Sequence, residues 1–184
     1  MKIKLISAAV LAGLLFGSQA AVAEESLLWA LMTPLRQKEL VPVENKLYKQ
    51  ECGACHFAYQ PGLLPGKSWQ KLLTHEALLD HFGEDADLDQ ESLKEIYDYA
   101  LANAAEKSYH KRSRKIAIST AEGEPPLRIT EVRYIKRKHH EIPDKMISGN
   151  KKVKSLSNCN ACHTQAAEGV FDEDTVSIPN YPKY

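Results

Sequence analysis

Cys52-Gly-Ala-Cys55-His56 and Cys159-Asn-Ala-Cys162-His163 are two copies of one five-residue pattern, and together they use all four cysteines of the 184-residue chain. C-x-x-C-H is the spacing that attaches a c-type haem. Two thiols add to the two vinyl groups of one porphyrin, and an imidazole directly after the second thiol is held beside the iron as its proximal ligand. The spacing therefore implies two haem c groups with iron, tethered at Cys52 and Cys55 and at Cys159 and Cys162, with His56 and His163 on the metals. Other uses of paired cysteines fit less well. A zinc ribbon places its pairs roughly 15–20 residues apart, whereas more than a hundred residues separate Cys55 from Cys159 here. Disulfide frameworks belong to short, cysteine-dense domains. A thioredoxin-like motif needs strands, and no strand run is visible.

The far side of each iron decides what such a protein does. An open position binds small molecules, methionine raises the reduction potential, and a second histidine lowers it. The candidates outside the motifs are His75, His81, His110, His139 and His140, with Met32 and Met146. In a compact cytochrome c the distal ligand comes from the segment before the last helix, where His81 lies. His75 competes with it, because helical phase does not separate the two, while Met32 precedes the haem motif and would need an unusual chain path. For the second iron, Val132, Ile135 and His139 fall at i, i+3 and i+7, so His139 extends an apolar helix face. His140 is turned about 100° from it. Met146 is the alternative, beyond Pro143.

The elements that must position these residues read as helices and loops. A short helix near Glu44–Ala54, with Leu47 and Tyr48 on its apolar side, leads into the first motif. Pro61–Gly66 is a loop, since two prolines and two glycines break regular structure. Ser68 is expected to cap a helix bearing Trp69, Leu72 and Leu73. After the acidic turn Gly83–Asp89, Asp89 caps the clearest helix, on which Leu93, Ile96, Tyr97, Ala100, Leu101 and Ala104 recur at intervals of three and four. Lys107–Lys115 reads as a solvated basic connector, with an acidic partner's docking patch as the other reading. Thr130 is expected to cap a helix over Glu131–His140 that Pro143 ends, with a short helix or turn around Val153 and Leu156. The tail after Gly169 is expected to wrap the surface.

Met1–Ala23 has the form of an export signal: Lys2 and Lys4, an apolar run from Leu5 to Phe16, and Ala21-Val22-Ala23 before Glu24. That run is too short for a spanning helix, which takes about 20 residues. The expectation is a chain cleaved after Ala23 and placed in the periplasm. The haem motifs divide the remainder into units 24–106 and 107–184. A haem's apolar faces act as core in each, which lets a unit below about 80 residues be stable. Zero net charge hides a polarity: residues 24–106 carry −8 and 107–184 carry +6. Such a dipole can orient the molecule toward a charged partner, or the halves attract each other across their own interface.

Beyond the two motifs, the stretches Tyr48–Gly66, His81-Phe82-Gly83-Glu84-Asp85-Ala86, Asn103-Ala104-Ala105, Arg128-Ile129-Thr130, Lys138-His139 and Asn158–His163 resemble the dihaem cytochrome c family of bacterial electron carriers. The resemblance implies a mainly α fold, with a class I cytochrome c-like first haem domain and a less regular, loop-rich second one. It implies ligation of both irons by two histidines each, His81 and His139 falling on the matching positions. It also implies redox partners: a small oxygen-binding c-type haem protein, and for some members a membrane cytochrome b. His140 departs from the family's basic residue there and leaves a one-residue swap with His139 open. The function expected is electron transfer without catalysis, with no nucleic acid and no small-molecule substrate. The competing class is a small haem enzyme, peroxidase-like or a sulfur-compound oxidase, with one open iron. No spare cysteine and no separate acid–base constellation support it.

Overall fold

The computed structural model describes residues 40–182. The leader expected over Met1–Ala23, and Met32, lie outside the described residues. Among the described residues the regular structure is helical, and the β pairing consists of two isolated bridges, His81 with Glu84 and His163 with Val176.

Helix α1, Lys46–Gly53, starts where the Asn45 side chain accepts the Tyr48 amide at 2.7 Å, and it ends inside the first haem motif. Tyr48 is buried, and its hydroxyl donates to the Tyr59 carbonyl at 2.8 Å, closing the loop that carries Cys55 and His56. Pro61–Leu63 is a buried 3-10 turn and not an open loop. Helix α2, Gly66–Leu72, does not start at Ser68. Pro65 is its N-cap, offering its carbonyl to the Ser68 and Trp69 amides at 2.9 and 3.3 Å. A remote carboxylate, Glu106, takes the Gly66 amide at 3.0 Å. Ser68 is consequently inside the helix and buried, and Leu73 lies past its end.

Helix α3, His75–Leu79, is capped by Thr74, and α4, Gln90–Ala102, by Asp89, whose carboxylate takes the Glu91 and Ser92 amides at 3.0 Å each. The α4 stripe buries Leu93, Ile96 and Ala100, each large aliphatic side chain contributing about 1.5–3 kcal/mol. Tyr48 meets Trp69 edge-on at 6.4 Å and Tyr99 at 5.2 Å, which packs α1, α2 and α4 together.

The basic stretch after Lys107 is not a solvated connector. Helix α5, Lys111–Ser119, runs through it and buries Ser113 and Ile116. Helix α6, Arg133–His139, is shorter than expected and has no Thr130 cap. A 3-10 turn at Ile129–Glu131 precedes it, and the buried Ile129 and Val132 set its entry by packing. The tail does more than wrap the surface: Ile178 is buried, Asn150 donates to the Pro179 carbonyl at 2.7 Å, and the Ser177 amide donates to the Cys162 carbonyl at 2.8 Å.

The described residues fall in one compact unit. The boundary expected after Glu106 lies within a 3-10 turn, Ala105–Lys107, that packs on α5. Three hydrogen bonds stitch early segments to late ones: Tyr59 hydroxyl to Ser157 carbonyl at 2.6 Å, Gln60 Nε2 to Ala166 carbonyl at 2.6 Å, and Leu40 amide to Gly169 carbonyl at 2.8 Å. Gly169 must be glycine at that seam. Its φ is 77°, and a Cβ would stand 2.2 Å from the Leu40 carbonyl oxygen.

Candidate functional site

The first motif begins on the last turn of α1 and leaves it through Ala54, so Cys52 is half-buried and Cys55 exposed. His56 follows with its Nδ1 2.7 Å from the Phe57 carbonyl. A carbonyl only accepts, so Nδ1 carries a proton, and in the neutral ring Nε2 is the nitrogen left to bind a metal. Tyr59 stacks on the imidazole at 4.9 Å and 26°.

The structure brings His81 to that ring. The two imidazole centroids are 6.3 Å apart with planes 25° from parallel. His81 sits on a tight turn in which its amide donates to the Glu84 carbonyl at 2.8 Å. The two central residues, Phe82 and Gly83, have φ of 60° and 100°. Gly83 takes such a φ freely, but a bulky aromatic there is strained by about 1–2 kcal/mol. The Arg128 guanidinium lies 3.8 Å over the Phe82 ring, a cation–π contact that offsets about 0.5–1 kcal/mol of that strain. Burial first, then the charges of His56 and Arg128, push His81 toward its neutral form. His75 is engaged elsewhere, with Nδ1 2.8 Å from Asp87 on a half-exposed surface.

The second motif makes a 3-10 turn, Cys159–Ala161, that closes with the His163 amide on the Cys159 carbonyl at 2.8 Å. The tail backs it through the His163–Val176 bridge. His139, the last residue of α6, lies 6.1 Å from His163 with ring planes 75° apart. Its Nδ1 donates to the Ile135 carbonyl at 2.9 Å, so in the neutral ring Nε2 is the nitrogen left to bind a metal. Phe171 flanks His163 at 5.1 Å. Burial, then the charges of His139 and Arg112, lower the His163 pKa to about 4. His140 faces outward, with Nδ1 on the Arg137 carbonyl and Nε2 3.6 Å from Glu141. Met146 is buried in the wall of the same site.

That wall encloses a cavity of about 440 Å³, lined by Cys159, Cys162, His163 and His139 together with apolar side chains from α5, α6 and the tail. The volume is in the range of cofactor sites, about 300–1,000 Å³. Burial pushes the Cys159 thiol up to about 11 and the Cys52 thiol up to about 12. The ring spacings pass a metal-fit test. A metal about 2.0 Å from each nitrogen, with each nitrogen about 1.1 Å from its ring centre, puts two centroids about 6.2 Å apart.

Sequence reasoning missed two contributors. Arg112 lines the second cavity but sits in a run of Lys and Arg that gives no sign which member turns inward. Phe82 betrays its strained backbone only through the neighbouring Gly83.

Comparison with known proteins follows the same lines. The profile of the dihaem cytochrome c family matches residues 48–171. Among solved structures, a dihaem cytochrome c from Shewanella baltica OS155 is 37% identical, spans 76% of this chain and 97% of its own, and superposes with a TM-score of 0.62. A dihaem cytochrome c from Rhodobacter sphaeroides is 44% identical over 72% of this chain and 99% of its own, also with a TM-score of 0.62. None of the curated proteins compared with it matches.

Proposed function

The chain belongs to the dihaem cytochrome c family, an electron-transfer family with two haem c groups, and from that premise we propose a periplasmic carrier whose irons are each held by two imidazoles. His56 and His81 hold the first, His163 and His139 the second. Each haem, when bound, would supply a one-electron Fe(III)/Fe(II) couple, and two imidazoles on each iron would leave no open position for a substrate. The observation that carries this reading is the pair of imidazole separations, 6.3 and 6.1 Å, each with a C-x-x-C-H histidine as one member.

The remaining work belongs to the polypeptide. Cys52, Cys55, Cys159 and Cys162 tether the macrocycles. The carbonyls of Phe57 and Ile135 orient one imidazole of each pair through its Nδ1–H. Apolar side chains such as Ile116, Tyr134 and Ile135 keep water from the second site, and low polarity around an imidazole-ligated iron is one of the levers on its potential.

The export pattern in Met1–Ala23 supports the periplasmic assignment. The partner is a redox protein, either a small oxygen-binding c-type haem protein or a membrane cytochrome b passing electrons onward. The charge polarity supports recognition of a charged partner. Among the described residues the one ion pair joining the two charge halves is Lys71–Glu124, at 2.6 Å on the surface. It joins a base of the acidic half to an acid of the basic half. The test is the oxidised absorption spectrum with and without cyanide and carbon monoxide. The carrier shows two low-spin haems and no rapid ligand binding. Rapid binding at either haem would favour an enzyme with an open iron.

A further inference from the structure

Arg112, the second residue of α5, lines the cavity that contains Cys159, Cys162 and His163. Its side chain is 19% exposed, and Nη2 donates to Asp172 Oδ1 at 2.8 Å. Nε, by contrast, is buried and has no acceptor. A buried donor left without a partner costs about 1–3 kcal/mol, more when the group is charged, and native structures keep few of them. Asp172 is held through Nη2 alone, which leaves the neighbouring Nε–H free to donate to a second acceptor such as a carboxylate.

None of the three acids following Phe171 fills that position, and the third, Asp174, is exposed. Asp172 accepts from Nη2 and not from Nε, and Glu173 pairs with Lys138 at 3.3 Å on the surface. The cofactor that the cavity fits carries its own carboxylates, the two propionates of a haem.

We propose that the Nε edge of Arg112 binds a propionate of the second haem, so that one guanidinium is shared between Asp172 and the cofactor. This rests on the second haem occupying the cavity between His139 and His163. The arrangement has an electrostatic consequence: the guanidinium favours the reduced haem, while Asp172 draws part of that charge away. Removing either partner therefore shifts the second couple, in opposite directions.

The experiment uses the full-length holoprotein, with redox titration that resolves the two haems and resonance Raman spectra of the propionate bending bands. Arg112→Gln should lower the second haem's potential and leave the first unchanged. A ten-fold redistribution of the electron toward the first haem corresponds to about 59 mV for a one-electron couple. Asp172→Asn should move the second haem the other way. Arg112→Lys keeps the charge but loses the planar edge, so it should shift the propionate band with little change in potential, and it carries the test if Arg112→Gln does not accumulate. Shifts of the same sign in Arg112→Gln and Asp172→Asn, or an unaltered propionate band in Arg112→Lys, would overturn the proposal and leave Arg112 as a clamp on the tail. Failure of the two-imidazole reading shows differently, as a high-spin second iron in the unaltered protein.

Discussion

The two haem sites share a five-residue attachment pattern but present the opposing imidazole in unlike ways. His81 rides on a two-residue turn strained at Phe82 and braced by Arg128 from a distant segment. His139 ends a helix and is oriented by that helix's own Ile135 carbonyl. The first pair of rings is near parallel, at 25°, and the second near perpendicular, at 75°. The two proposed distal ligands are thus presented by a loop held by tertiary contacts and by a helix terminus held by local ones. Where the sites differ is in the electronic environment they impose and in what must be broken to open them.

The largest effect that separates the sites is removal of one proposed distal ligand at a time. His139→Ala should leave the second haem covalently attached through Cys159 and Cys162 but high-spin and open to cyanide, with the first haem unchanged. His81→Ala should do the reverse. An unaltered low-spin spectrum in either variant rejects that residue as a ligand, and His75 and His140 then return as candidates. A smaller effect tests the seam behind the second site. Gly169→Ala puts a Cβ against the Leu40 carbonyl at positive φ and should cost upwards of about 2 kcal/mol, seen as a lower thermal midpoint with both haems still attached.

The smallest effect concerns the strained turn. Phe82→Ala keeps the positive φ and loses the Arg128 contact, so it should destabilise by about 1 kcal/mol. Phe82→Gly loses the same contact but removes the strain, and should recover most of that loss. Thermal unfolding of the two variants decides it: a Gly variant less stable than the Ala variant would show that the turn is not strained at Phe82.

What could be read from the residues follows from how local each determinant is. The haem motifs are covalent chemistry written in consecutive residues, and α4 announces itself through Asp89 and an uninterrupted stripe of apolar positions. Helix α2 begins earlier than Ser68 suggests, because Pro65 and the distant Glu106 satisfy its first amides. Helix α5 was hidden because Ser113 and Ile116 are its buried residues, set in a basic run that looks solvated. Its helical form is stabilised by packing on the Pro61–Leu63 and Ala105–Lys107 turns and on α6. The strain at Phe82 and the inward turn of Arg112 are likewise properties of contacts between distant segments, which no local pattern records.

Electron paramagnetic resonance of the fully oxidised holoprotein reads both proposed axial pairs at once. In low-spin Fe(III) two near-parallel imidazoles act on the same iron orbital and separate it from its partner, giving a rhombic signal. Two near-perpendicular imidazoles act on one orbital each, leave the pair nearly degenerate, and give a signal with one very large g value. The account predicts one signal of each kind, the rhombic one lost in His81→Ala and the strongly anisotropic one lost in His139→Ala. A high-spin signal in the unaltered protein, or two rhombic signals, would contradict it.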